Sequence, residues 1–262
     1  MIQRPDARVR RPLAVLLLTS LICPIAAAAT PADAIDAALA HPERSETDRA
    51  RDLTSHPAQV LRFAGARPGL TVLDVLAGDG YYSEILARVV GSDGRVFLHN
   101  NQAYVGLLRR VPDRRRRADV EALEIYVREI GDIDLRSDSV DLILMIKVYH
   151  DLYYLNNGWD VPPGPVFDTL RRVLKPGGVL LLVDHRAPDG TGASFAQNHH
   201  RIAADFARAD LTARGFVFDG ATDVLANPED DLTRSPFAPD LRGRTDRFVQ
   251  RYLKPTVAVT AP

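Results

Sequence analysis

The chain has 262 residues, which is enough for one large α/β domain with a substantial core. Its 33 basic and 34 acidic side chains give a formal net charge of −1, and this balance argues against a general nucleic-acid binder, since such proteins carry a strong basic excess. Cys23 is the single cysteine and precedes residue 30, so residues 30–262 offer no thiol nucleophile, thiolate metal site or disulfide.

The first 29 residues have the pattern of a secretory signal peptide. Arginines at positions 4, 8, 10 and 11 precede an apolar, small-residue-rich stretch, and Ala27–Ala29 fits a small-residue cleavage site. We expect cleavage before Thr30 and a periplasmic or secreted protein without stable insertion in the membrane. An uncleaved N-terminal anchor is the alternative.

A helical lead is predicted over residues 30–55, followed by a helix over 57–65. Residues 70–75 then form an apolar strand with an acid, Asp74, near its end, and residues 81–90 have the pattern of an amphipathic helix. The turn between them holds Gly78 and Gly80, which let the backbone approach a ligand without a Cβ in the way. This order of strand, glycine turn and helix is typical of a cofactor site in a doubly wound α/β domain.

Strands and helices continue to alternate through the rest of the chain. The patterns predict strands near 95–99, 123–128, 141–149, 179–183, 216–224 and 248–253, with helices near 102–110, 167–174 and 197–213. They indicate an α/β fold with a doubly wound, mostly parallel seven-stranded sheet and helices on both faces. No repeat or long linker interrupts residues 30–262, so we expect a single domain there.

The segment around Asp74, Gly78 and Gly80 resembles motif I of class I S-adenosylmethionine (SAM) methyltransferases, although Leu76 stands where that family has its first glycine. The turn Leu174–Leu180 is similar to a second mark of the same fold. The chain also resembles a group of bacterial, often exported, predicted methyltransferases. These share Gly-Asp-Gly-Tyr-Tyr, Tyr-His-Asp, Val-Asp-His-Arg and Arg-x-Thr-Asp-Arg-Phe, which occur here at 78–82, 149–151, 183–186 and 244–248.

This resemblance implies a SAM cofactor, a small-molecule substrate and a set of binding residues. Asp74, Gly78 and Gly80 would line the methionine part of the cofactor. Asn100 stands where the family usually has an acid that holds the ribose hydroxyls, and an asparagine can still hydrogen-bond a diol. Asp132 matches the acid that usually meets the adenine amino group.

Acid–histidine pairs follow two strands of the predicted sheet. Tyr149-His150-Asp151 ends one strand and Asp184-His185-Arg186 ends the next, and ligands of open α/β sheets bind at such strand ends. His150 or His185 would be a general base that deprotonates a substrate hydroxyl or amine, with Asp151 among the neighbouring acids. The alternative for the same residues is a divalent metal site.

Two functions therefore fit the sequence. The first is an exported SAM-dependent methyltransferase for a small molecule, with His150, His185 and Asp151 as catalytic residues. The second is a periplasmic methyltransferase-like protein that does not transfer methyl groups, either a binding protein or a metal- or histidine-dependent enzyme.

Overall fold

The computed structural model describes residues 30–110, 122–155, 159 and 161–256. The expected signal peptide, with Cys23, lies outside these residues. Within them, no helix combines the length and the hydropathy that a membrane crossing requires.

Three helices open the described chain: α1, Pro31–Ala40; α2, Glu46–Ser55; and α3, Pro57–Ala64. Thr30 caps α1, because its hydroxyl accepts a hydrogen bond from the Asp33 amide at 3.2 Å while the Asp33 carboxylate accepts one from the Thr30 amide. The predicted helical lead is therefore confirmed, with a break between α1 and α2.

Eight strands form one sheet whose main path has the order β3-β2-β1-β4-β5-β8-β7, and the short β6 pairs with β5 off this path. All pairs are parallel except those of β8, which runs antiparallel to both β5 and β7. The seven strands of the main path confirm the predicted fold class. The strands are β1 Thr71–Val75, β2 Arg95–Asn100, β3 Leu123–Val127, β4 Val140–Ile146, β5 Leu174–Ala187, β6 Ile202–Ala203, β7 Val217–Thr222 and β8 Arg247–Leu253.

Helices connect these strands. They are α4 Tyr81–Val90, α5 Pro163–Val173, α6 Ala196–His199 and α7 Ala204–Ala213, with 3₁₀ helices at Gln102–Arg110, Ile130–Asp132 and His150–Tyr153. The single helix predicted over 197–213 is divided in the structure: α6 and α7 confirm most of it, but His200 is left-handed and β6 lies between them. The buried Arg201 explains the interruption: its guanidinium binds the Asp230 carboxylate and two backbone carbonyls at this point.

Apolar side chains cover both faces of the sheet. In β4, Ile143 and Met145 belong to one buried cluster, whereas Leu142 and Leu144 belong to another on the opposite face. A strand buried on both faces has room for polar side chains only near its ends. The strand order reverses direction between β1 and β4, and this switch point opens a crevice at their carboxyl ends.

Candidate active site

A cavity of about 740 Å³ lies at the carboxyl ends of β1 and β4. Its wall combines the loop after β1, the segment after β4 and side chains from several other elements. The lining residues are Arg51, Leu76, Ala77, Gly78, Asp79, Tyr104, Gly106, Ile146, Lys147, Val148, His150, Asp151, His185, His200, Pro236 and Phe237. The volume and the mixture of apolar and charged groups suit a small-molecule site.

The loop after β1 turns through three left-handed residues, Leu76 at φ 51°, Gly78 at φ 60° and Gly80 at φ 82°. Glycine adopts such angles freely, whereas an L side chain is strained there. Leu76 therefore keeps the backbone conformation that glycine favours, although it carries a buried side chain. The loop has a glycine-type shape even where the first glycine is replaced.

Strand β2 fixes this loop through two buried side chains. The Asn100 amide accepts a hydrogen bond from the Gly78 N–H and donates one to the Gly78 carbonyl, both at 2.9 Å. His99 Nδ1 accepts from the Leu76 N–H at 3.3 Å, and its Nε2 lies 3.0 Å from the Arg128 carbonyl. Burial lowers the pKa of His99 to about 4, so the ring is neutral. Asn100 thus holds the loop, and its contact with a ribose stays a prediction.

The other predicted cofactor residues are not among those that line this cavity. Asp74 is buried and accepts a 2.6 Å hydrogen bond from the Ser83 hydroxyl in the first turn of α4; burial raises its pKa to about 7 against the effect of that bond. Gly80 is the N-cap of α4. Asp132 is exposed, and its N–H donates to the Glu129 carbonyl. Of the five predicted cofactor residues, Gly78 is the one on the cavity wall.

His150 and Asp151 face the same space because the chain bends after β4. Lys147 takes a left-handed φ of 61°, and a 3₁₀ turn follows. His150 Nδ1 lies 2.8 Å from Oδ1 of Asp184, whose Oδ2 accepts the His150 N–H, and Nε2 lies 3.2 Å from Asp151 Oδ1. Burial lowers the pKa of His150, but the charge and hydrogen bond of Asp184 outweigh this effect and raise it overall.

His185 lies on the same wall, with its ring centroid 6.0 Å from that of His150. Its Nδ1 shares a 2.7 Å hydrogen bond with the Thr245 hydroxyl. Burial and the neighbouring His150 hold the pKa of His185 well below its ordinary value, so this imidazole is neutral. The structure therefore brings the three predicted catalytic residues together, while their roles stay predictions.

Two further side chains complete the polar cluster around Asp151. The Tyr104 hydroxyl donates to Asp151 Oδ2 at 2.9 Å, and His200 Nδ1 lies 3.9 Å from Oδ1. Burial raises the pKa of the Asp151 carboxyl. Our sequence reasoning missed Tyr104, which lies in the 3₁₀ helix after β2, and it did not place His200 in the cavity.

Two cations also line the cavity, and the sequence analysis identified neither. The Arg51 guanidinium comes from α2, lies 3.7 Å from the Asp79 carboxylate and sits 4.0 Å above the Tyr81 ring. Burial, with repulsion from Arg51, lowers the pKa of Lys147 to about 8. The position of Lys147 directly after an apolar strand was a usable indication, whereas nothing local distinguishes Arg51 from its neighbours.

A family model described as a methyltransferase domain matches residues 66–219, which include the glycine loop and the strand ends of this cavity. Among curated proteins, the chain is 32% identical over 130 residues to the 2-phytyl-1,4-naphtoquinone methyltransferase of Synechococcus elongatus. That match covers 49% of this chain and 51% of the relative, so the chain spans about half the length of that protein.

Solved structures share the fold. A SAM-dependent methyltransferase from Aquifex aeolicus superposes with a TM-score of 0.60 at 21% identity, over 80% of this chain and 95% of that one. The geranyl diphosphate C-methyltransferase of Streptomyces coelicolor, solved with Mg²⁺, geranyl diphosphate and S-adenosyl-L-homocysteine, gives 0.54 at 14% identity, over 84% and 87%. These neighbours support SAM as the cofactor of the fold. With the family match over more than half of its length, the chain belongs to the methyltransferase-domain family.

Proposed function

We propose that this protein is a SAM-dependent methyltransferase that acts on a small molecule and binds the methionine part of SAM in the cavity at β1 and β4. The main support is that the left-handed loop at Gly78 and the cluster of His150, Asp151 and His185 line one cavity of about 740 Å³. A cofactor on the loop would then have its reactive end beside groups able to handle a proton.

The charges of the wall suit the methionine part of SAM, which carries a carboxylate and an ammonium group. Arg51 and Lys147 supply cations for the carboxylate, while Asp79 supplies an anion for the ammonium group. At Gly78 the wall is bare backbone, so a ligand can approach it closely. The residues present therefore fit the cofactor that the fold implies.

The chain's own contribution to the reaction is orientation and proton handling. Bound SAM supplies an electrophilic methyl group. Holding an acceptor atom in line with that group accounts for much of the rate in such a displacement. In the tautomer in which His185 Nδ1–H donates to the Thr245 hydroxyl, Nε2 is the nitrogen that takes a proton from a substrate hydroxyl or amine.

The class of substrate in this proposal is a small molecule. Aromatic and apolar side chains contribute to the cavity wall, among them Phe237, Pro236 and Tyr104. The curated relative is named a 2-phytyl-1,4-naphtoquinone methyltransferase. The balance of 33 basic and 34 acidic side chains argues against a nucleic-acid substrate.

Export is part of the same proposal. Its support is the basic, apolar and Ala27–Ala29 pattern that precedes Thr30. Cell fractionation with mass spectrometry tests it: we expect a periplasmic or secreted chain that begins at Thr30. A cytoplasmic chain that retains residues 1–29 would contradict export and leave the cofactor site untouched.

Calorimetric titration with SAM and S-adenosylhomocysteine tests the cofactor site, with a matched pair of glycine variants. Gly78 and Gly190 both have positive φ, but only Gly78 lies on the cavity wall, and a Cβ at Gly190 would meet no atom within 4 Å. We expect Gly78→Val to abolish binding and Gly190→Val to leave it unchanged. A folded wild-type protein that gives no heat with either ligand would refute the proposal.

A further inference from the structure

We propose that His150, Asp151 and His200 form a binding site for a divalent transition-metal ion of the Zn²⁺ type. One ligand atom from each of these residues lies within 4.8 Å of the other two. His150 Nε2 and Asp151 Oδ1 are 3.2 Å apart, and Oδ1 is 3.9 Å from His200 Nδ1. All three residues line the cavity of the candidate active site.

The spacing is close to what a bound ion needs. Zn²⁺ bonds of about 2.0–2.2 Å in a tetrahedral arrangement place ligand atoms roughly 3.3–3.6 Å apart. His150 Nε2 and Asp151 Oδ1, 3.2 Å apart, are within about 0.1 Å of this range, and the 3.9 Å from Oδ1 to His200 Nδ1 exceeds it by about 0.3–0.6 Å. His200 is half-buried and ends the four-residue helix α6, where its left-handed φ of 50° turns the ring toward His150, 5.4 Å away between ring centroids.

The partners behind the ligands favour a metal site over a simple ion pair. Asp184 is fully buried and takes His150 Nδ1 at 2.8 Å, while the His150 and His185 amides donate to its two oxygens. This contact fixes the ring so that Nε2 faces Asp151, where a bound ion would replace the Nε2 proton. The Tyr104 hydroxyl holds Oδ2 of Asp151 and leaves Oδ1 for an ion. Metal-binding histidines and carboxylates are regularly oriented by such outer partners.

The donor set indicates the class of ion. Two imidazole nitrogens and one carboxylate oxygen suit Zn²⁺, Fe²⁺ or Co²⁺, whereas Mg²⁺ and Ca²⁺ prefer oxygen ligands alone. Three protein ligands leave at least one coordination position open, and the cavity lies on that side. The site depends on these residues and not on whether SAM binds.

The test is a calorimetric titration of chelator-treated, untagged protein with Zn²⁺, with visible absorption after Co²⁺ addition as a second readout. His199 and His200 provide a matched pair, because His199 stacks on Phe195 and lies outside the three ligands. We expect the wild type to bind one Zn²⁺ per chain. The affinity for Zn²⁺ should fall about 10- to 100-fold in His200→Ala and in Asp151→Asn. His199→Ala should bind as the wild type does.

Zn²⁺ that binds wild type, His200→Ala and His199→Ala equally, or not at all, would overturn the metal site. Circular dichroism tests whether each variant is folded. If Asp151→Asn is unfolded, the Zn²⁺ affinity of His200→Ala alone decides whether the metal site exists. S-adenosylhomocysteine titrated into the same preparation reports on the cofactor site separately, so loss of one kind of binding does not stand for loss of the other.

Discussion

At Leu76 the backbone conformation favours glycine, whereas the buried position of the side chain favours a large apolar residue. Its φ of 51° is strained for an L residue by about 1–2 kcal/mol, yet its side chain is buried in the core beside the cavity. The conflict arises because the chain has a leucine where similar methyltransferases have a glycine. The buried contacts of the side chain offset the strain in the backbone.

Replacement of Leu76 should therefore reverse the usual order of glycine and alanine. Both Leu76→Gly and Leu76→Ala lose the buried side chain, at a cost of about 2–5 kcal/mol. Only the alanine variant keeps the left-handed strain, so we expect the glycine variant to be about 1 kcal/mol more stable than the alanine variant. Urea unfolding followed by circular dichroism measures the difference. An alanine variant equal to or more stable than the glycine variant would show that this φ carries no strain.

Asn100 makes a second prediction at the scale of one residue. Similarity to the family suggests that Asn100→Asp would restore a ribose-binding acid. The structure predicts a loss instead, because a carboxylate cannot donate to the Gly78 carbonyl that the amide now binds at 2.9 Å. We expect about 1–3 kcal/mol lower stability and no gain in affinity for S-adenosylhomocysteine. Tighter binding at unchanged stability would mean that Asn100 is not chiefly a support for the loop.

Individual site residues were predictable where a strand end is readable from the sequence. His150, Asp151 and His185 follow apolar runs, and parallel strands bring such ends to one edge of the sheet. The partner of each side chain was not predictable. That Asn100 binds Gly78 depends on the register of β2 against β1, which no local pattern states.

Helix α2 shows how a segment far from the motif contributes to the site. Arg51 reaches the cavity because α2 is held against α4: Asp52 accepts hydrogen bonds from Arg44 and from the Tyr81 hydroxyl. The lead before the first strand is therefore part of the site and not only a covering for the core. Helical patterning predicted this element but gave no indication of its position.

Arg51→Ala tests this contribution of the lead. Arg49 lies on the same helix and binds the His41 carbonyl at 2.7 Å, so Arg49→Ala is the matched control. A hydrogen bond to a charged group contributes about 1.5–3 kcal/mol, so we expect Arg51→Ala to weaken S-adenosylhomocysteine binding at least about tenfold. Calorimetry on both variants decides. If Arg51→Ala and Arg49→Ala bind S-adenosylhomocysteine equally well, the carboxylate of the cofactor does not contact α2.

Local patterns predicted the bounds of helix α4 but not the interruption within the segment 197–213. Helix α4 begins and ends at the predicted residues, because a glycine lies at each end of a clear amphipathic pattern. The segment 197–213 is helical at both ends but interrupted between them, since its helical composition is overridden there by the buried contacts of Arg201 with Asp230. Tertiary contacts of this kind leave no trace in local propensity.

At the scale of the whole molecule, the neutral His99 makes stability depend on pH. Its pKa is about 4 in the folded protein and ordinarily 6.5, so the unfolded chain takes up a proton that the native protein does not. The stability contributed by this residue is complete above about pH 6.5 and is lost as the pH falls toward 4. Between pH 7 and pH 5 the loss is about 2 kcal/mol.

His99→Leu isolates this effect, because other groups titrate equally in both proteins. The variant loses the hydrogen bond from Leu76 at every pH, but its stability should fall by about 2 kcal/mol less than that of the wild type between pH 7 and pH 5. Urea unfolding at the two pH values measures both changes. An equal loss of stability between pH 7 and pH 5 in both proteins would show that His99 titrates normally in the folded protein.

Strand β8 lies between β5 and β7, although it is the last strand in sequence among the described residues. On a ribosome, residues 174–222 are therefore available long before the strand that joins them. Until Leu253 has been synthesised, the edge of β5 that β8 will cover stays open, and an open apolar edge is a site for pairing with other chains or for capture by chaperones. The sheet of this protein is thus completed only after translation of nearly the whole described chain.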